Sequence, residues 1–172
     1  MHDSASINLR LWLRGLAIAL IVCGFVILSG GAMAAPLRQS AIAIGASQPA
    51  LTATVYRSPN CNCCAGWIEH LEAQGFEVAD HLTTEMATIK QRYGVPADLE
   101  SCHTALIGGY VIEGHVPADD VQRLLAEQPD VQGLTAPGMP MSAPGMDTGN
   151  DPYTVLTFDE TGQTTVFQVH NF

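Results

Sequence analysis

Hydrophobic periodicity divides the chain into short alternating elements. The apolar run 51–56 (Leu51-Thr52-Ala53-Thr54-Val55-Tyr56) predicts a first strand over about 52–57. Trp67, Ile68 and Leu71 stand three and four positions apart, which predicts a helix over about 63–74, stopping at Gly75. Alternation of apolar and polar residues over Phe76-Glu77-Val78-Ala79-Asp80-His81-Leu82 predicts a second strand. A helix over 85–93 follows, with Thr83 or Thr84 placed to cap it, and ends at Gly94-Val95-Pro96. Two apolar runs, 104–107 and 110–113, flank Gly108-Gly109 and read as a hairpin. Pro117 opens a further helix whose inner face carries Val121, Leu124 and Leu125. The order is βαβαββα, that of a thioredoxin-like α/β core. A last hairpin, 153–158 with 164–169, is added after it.

Between these elements, residues 129–152 carry five prolines and four glycines and show neither period. Loops of this length without regular structure are uncommon in compact domains. This one holds Pro137-Gly138-Met139-Pro140-Met141-Ser142-Ala143-Pro144-Gly145-Met146.

The N-terminal pattern differs from the rest. Arg10 and Arg14 precede an apolar stretch, 16–28, and Ala32-Met33-Ala34 offers small residues for cleavage. Residues 1–34 therefore read as a secretory signal peptide, with a retained anchor as the alternative, and 35–50 as a linker. The domain is expected over 51–172 in an oxidising compartment reached by export, off the membrane once the signal is cleaved. Cys23 lies in the apolar stretch, so four cysteines belong to the domain. Removing Arg10, Arg14 and Asp3 leaves five basic against sixteen acidic side chains, a net charge of −11. A chain so acidic, with Lys90 as its only lysine, has no electrostatic footprint for nucleic acid.

Chemistry concentrates in Cys61-Asn62-Cys63-Cys64, at the predicted junction of strand and helix. The free N–H groups of a helix N-terminus favour thiolate, which is both redox nucleophile and soft-metal ligand. Cys61 and Cys64 have the spacing of a redox pair, while the additional Cys63 suits a metal. In a thioredoxin-like fold, Cys102 and His103 would enter the third strand beside them. His115, before Pro117, is a further imidazole donor. Met139, Met141 and Met146 supply thioethers, neutral soft ligands that select Cu(I). Each has a plainer reading: a structural disulfide, a buried Cys102 with a hydrogen-bonded His103, a hydrogen-bonding His115, and methionines folded into the core. His70, His81 and His170 read as surface or edge residues.

The string Tyr56-Arg57-Ser58-Pro59-Asn60-Cys61-Asn62-Cys63-Cys64, with Trp67, Gly75-Phe76, Ser101-Cys102-His103-Thr104, Gly114-His115-Val116-Pro117, Gly138-Met139-Pro140 and Pro144-Gly145-Met146, resembles the CopG-like CxCC family over about 51–170. The resemblance implies a thioredoxin-like fold, a periplasmic role in copper resistance, and copper held by the CxCC thiols with help from Cys, His and Met elsewhere. The metal set it implies is Cys61, Cys63, Cys64, Cys102 and His103, then His115, Met139, Met141 and Met146. The leading expectation is a copper-binding protein taking Cu(I), several ions at once, in exchange with a periplasmic copper chaperone or efflux component. Cycling of copper or thiol redox state would make it an oxidoreductase. The rivals are a thiol–disulfide oxidoreductase with Cys61 as nucleophile and Cys64 as resolver, and a non-metal domain stapled by two disulfides. Zinc would favour a closed Cys/His site and give the methionines no role.

Overall fold

The computed structural model describes residues 51–172. The signal and linker expectations for 1–50 lie outside the described residues. The chain runs β1 (Leu51–Arg57), α1 (Asn62–Ala73), β2 (Phe76–Leu82), α2 (Met86–Arg92), a 3-10 turn (Ala97–Leu99), β3 (His103–Ile107) and β4 (Tyr110–Glu113). It continues through α3 (Ala118–Glu127), β5 (Gly133–Thr135), β6 (Tyr153–Phe158) and β7 (Thr164–His170). The seven strands of the described residues form one mixed sheet in the order β2-β1-β3-β4-β5-β6-β7. The β1–β2 and β4–β5 pairs are parallel and the other four antiparallel.

Each predicted strand and helix is present, with ends shifted by a residue or two. The exception is β5, three residues inside the stretch read as structureless. It is made by its neighbours, with Gly133 paired to Val111 on one side and to Phe158 on the other. A side chain at Gly133 would collide with the Val111 carbonyl, so the close strand approach requires glycine here.

Side chains alternate across the sheet. On one face, Val55, Ala105, Ile107, Ile112 and Leu134 pack with Trp67 and Leu71 of α1 and Val121 and Leu124 of α3. On the other, Val111 and Phe158 pack with Val95, Leu99, Tyr93 and Leu106. The edge strand β2 buries only Phe76 fully. Among the described residues no helix is long and apolar enough to cross a membrane.

Candidate metal centre

The CxCC turn follows directly from the end of β1. The Cys61 N–H closes a turn onto the Ser58 carbonyl at 3.1 Å, and Cys61 then caps α1 with extended backbone. The Arg57 guanidinium donates to the Cys61 carbonyl at 3.4 Å and is itself clamped by Asp80 at 2.7 Å. Three-residue spacing sets Cys61 and Cys64 on one side of the first helical turn. Here they form a disulfide, while Cys63 and Cys102 are free thiols. Cys64 is fully buried against the core, and the Cys63 Sγ lies 3.4 Å from that of Cys61.

The sheet brings in the second group of donors. Antiparallel pairing of β1 with β3 places His103 opposite Arg57, so the preceding Cys102 arrives at the CxCC turn. The sulfurs of Cys61, Cys63, Cys64 and Cys102 all lie within 4.8 Å of one another. Cys102, His103 and His115 form a second such group, sharing the Cys102 sulfur. The Cys102 Sγ is 3.1 Å from His115 Nε2 and 3.4 Å from His103 Nδ1.

Both imidazoles are held as neutral donors. His115 Nδ1–H donates to the Pro144 carbonyl at 2.7 Å, which leaves the Nε2 lone pair facing Cys102. Burial lowers the His115 pKa. His103 lies with its ring centroid 4.3 Å from that of Trp67 and is wholly buried. Burial, with His115 and Lys90 nearby, drives its pKa well below the ordinary 6.5. Its Nε2 has no hydrogen-bond partner, which is uncommon for a buried polar atom. Burial, reinforced by the neighbouring Cys63, pushes the Cys102 thiol up to about 12. That sulfur keeps its proton at neutral pH, so a cation bound there would have to displace it.

The methionine segment lies against this centre through its backbone. Gly145, at φ +82, packs on the first turn of α1. A Cβ there would come within 2.5 Å of the Trp67 nitrogen and 2.7 Å of the Cys63 carbonyl. Met146 is half-buried beside it, while Met139 and Met141 are 51% and 48% exposed. The donor atoms that converge are those of cysteine and histidine, and the two exposed thioethers face solvent.

Periodicity gave no hint of a buried polar network behind the site. Lys90 and Glu113 form an ion pair, 4% and 0% exposed. Glu113 Oε2 accepts from Thr104 Oγ1 at 2.7 Å, and Oε1 accepts from the Ser101 N–H at 2.6 Å. Burial raises the Glu113 pKa against the opposing pull of Lys90. The one available signal was that the chain's sole lysine falls on a helix over the sheet. Among the other histidines, His70 Nε2 accepts the Ala118 N–H at 3.0 Å and so caps α3. His170 pairs with Asp120 at 2.7 Å, and His81 stacks on Tyr56. None of the three belongs to the thiol cluster.

Four sulfurs and two neutral imidazoles fit a soft or borderline cation and suit Mg(II) or Ca(II) poorly. With one bridge formed, two thiols and two imidazoles are available. Reducing it would make all four sulfurs donors. Comparison with known proteins agrees in kind. Residues 99–146 match the family described as "Protein of unknown function, DUF411". No curated protein matches the chain. Two solved structures, described as copper resistance protein CopG in forms 2 and 1, are 45% and 44% identical, each with a TM-score of 0.67. The alignments cover 70% and 72% of this chain and 98% and 99% of those chains.

Proposed function

The chain belongs to the CopG-like copper-resistance family, and on that premise we propose that it is a periplasmic copper-binding protein of thioredoxin-like fold that serves copper tolerance. Copper is its cargo, taken as Cu(I) by Cys61, Cys63, Cys64 and Cys102, with His103 and His115 completing the donor set. The observation that carries this is the convergence of four sulfurs, one of which also meets two imidazoles held neutral by burial. Thiolates bridge metals readily, and a sulfur shared between two donor groups supports binding of several ions. Met139, Met141 and Met146 act as a soft capture arm, with Met139 and Met141 exposed where an ion would arrive from a chaperone or leave to an efflux component and Met146 half-buried against the site. The thioredoxin-like reading is supported by strand order β2-β1-β3-β4, with β1 and β2 parallel and the CxCC at the start of α1. Residues 1–34 are its export signal and 35–50 a linker.

Anaerobic titration of reduced 35–172 with Cu(I) against a competing chelator tests the reading. We expect tight uptake of more than one ion per chain, reduced by Cys63→Ala and by Cys102→Ala. Absence of uptake above the chelator would overturn it.

The Cys61–Cys64 disulfide favours a redox extension. A dithiol donor reduces the bridge with two electrons and two protons. Re-forming it releases both protons and passes one electron to each of two Cu(II) ions, giving two Cu(I). Mixing the reduced protein with Cu(II) under nitrogen should then yield two Cu(I) per disulfide formed. A disulfide exchanger without a copper site would reduce Cu(II) no faster than a small dithiol, would not retain the Cu(I), and would tolerate Cys63→Ala.

A further inference from the structure

The segments that carry Cys102, His103 and His115 have a common anchor on the far side of the sheet. Strand alternation puts His103 on the α1 face, beside Trp67, and Thr104 on the opposite face, toward α2. There the Glu113 carboxylate takes the Ser101 N–H at 2.6 Å and the Thr104 hydroxyl at 2.7 Å. These two contacts bracket Cys102 and His103. Glu113 also stands two residues before His115, and the Gly114 N–H between them returns to the His103 carbonyl at 3.0 Å. Ser101 extends the network, since its hydroxyl donates to the Gly138 carbonyl in the methionine segment. Lys90 closes the network from α2 and also donates to Thr104 Oγ1 at 3.3 Å.

A pair so buried is an inefficient way to stabilise a fold. Desolvating two charges offsets most of their attraction, and apolar replacements of similar volume are often neutral. What such a network does supply is a single arrangement of the strands it joins.

We propose that Glu113, held by Lys90, is the positioning residue of the metal centre, fixing Cys102 and His103 through Ser101 and Thr104, with His115 tied to them by the Gly114 N–H on the His103 carbonyl. The proposal rests on the reading of the thiol and imidazole cluster as a metal site.

Two double variants separate positioning from simple stability. Both remove the buried charges together. Lys90→Met/Glu113→Gln keeps an acceptor for Ser101, while Lys90→Met/Glu113→Leu keeps none. The first readout needs no metal: the alkylation rate of Cys102 relative to Cys63, by mass spectrometry, in the protein with its disulfide intact. The ratio should rise several-fold in the Leu variant and stay near wild type in the Gln variant, at matched melting temperatures. Thr104→Val, which cuts one arm and leaves the ion pair, should move the ratio the same way and decides the matter if the Leu variant fails to fold. An unchanged ratio in the folded Leu variant, or in Thr104→Val where the Leu variant does not fold, would overturn the proposal. The second readout is Cu(I) affinity of the reduced proteins, expected to fall about tenfold in the Leu variant, the usual scale for loss of a group that orients ligands. Wild-type protein that takes up no Cu(I) would instead refute the copper reading, while the alkylation ratio still decides the positioning role.

Discussion

The two halves of the metal centre are built on opposite principles. The CxCC half is local: three cysteines within four residues, on one helix start, set by the turn that follows β1. The other half is assembled across the sheet from Cys102, His103 and His115, and the carbonyl that orients His115 comes from Pro144. A local site can be read from spacing and tolerates distant change. An assembled site depends on every contact that sets the register of its parts. Here those contacts are Trp67 on His103, Gly145 on α1 and Glu113 behind β3.

That contrast can be broken most severely at Trp67. Its indole N–H donates to the Val116 carbonyl at 2.8 Å, tying α1 to the residue after His115, and its ring is wholly buried. Trp67→Ala should cost about 3–5 kcal/mol in denaturant unfolding. Trp67→Phe keeps most of the ring but orphans the carbonyl, for about 1–3 kcal/mol. Both should weaken the assembled half while the Cys61–Cys64 bridge still forms.

Gly145→Ala comes next. It adds a Cβ at positive φ against the Trp67 nitrogen and the Cys63 carbonyl. We expect a loss of about 1–3 kcal/mol and a segment displaced from α1. The His115 Nδ1–H signal in NMR, hydrogen-bonded to Pro144 in the wild type, should shift or vanish into solvent exchange.

Lowering pH sharpens the same comparison. His70, His103 and His115 all have depressed pKa values, with burial the first cause. The unfolded chain therefore binds protons that the folded chain refuses, so stability is lost as pH falls below the ordinary 6.5. Melting temperature of the metal-free protein should drop from pH 7.5 to pH 5. His115→Gln should flatten part of that slope.

The smallest effect on stability should come from the exposed thioethers. Met139→Ala and Met141→Ala should change stability by no more than about 0.5 kcal/mol. If they form a capture arm, stopped-flow uptake of Cu(I) at low concentration should slow nonetheless.

What was legible in the sequence follows the same division. Elements with their own period, such as 76–82 and the helix carrying Trp67 and Leu71, appear where the pattern places them. The Gly108-Gly109 hairpin delivers Cys102 and His115 to one place because β3 and β4 pair in register. β5 was hidden because its three residues owe their structure to strands on either side, not to a pattern of their own. Lys90 and Glu113 were hidden because charged residues are almost always solvated, so nothing in their spacing marks burial. Spacing alone leaves the state of the thiols open, and among the described residues there are one bridge and two free thiols, neither four thiols nor two bridges.

The central claim is that both halves give donors to one soft-metal site. X-ray absorption at the copper edge, on reduced protein loaded with Cu(I), tests it most directly. The account predicts a mainly sulfur first shell with a histidine contribution that disappears in His103→Ala/His115→Ala. A first shell of sulfur alone, unchanged in that variant and also in Cys102→Ala, would confine the site to the CxCC half and contradict the claim.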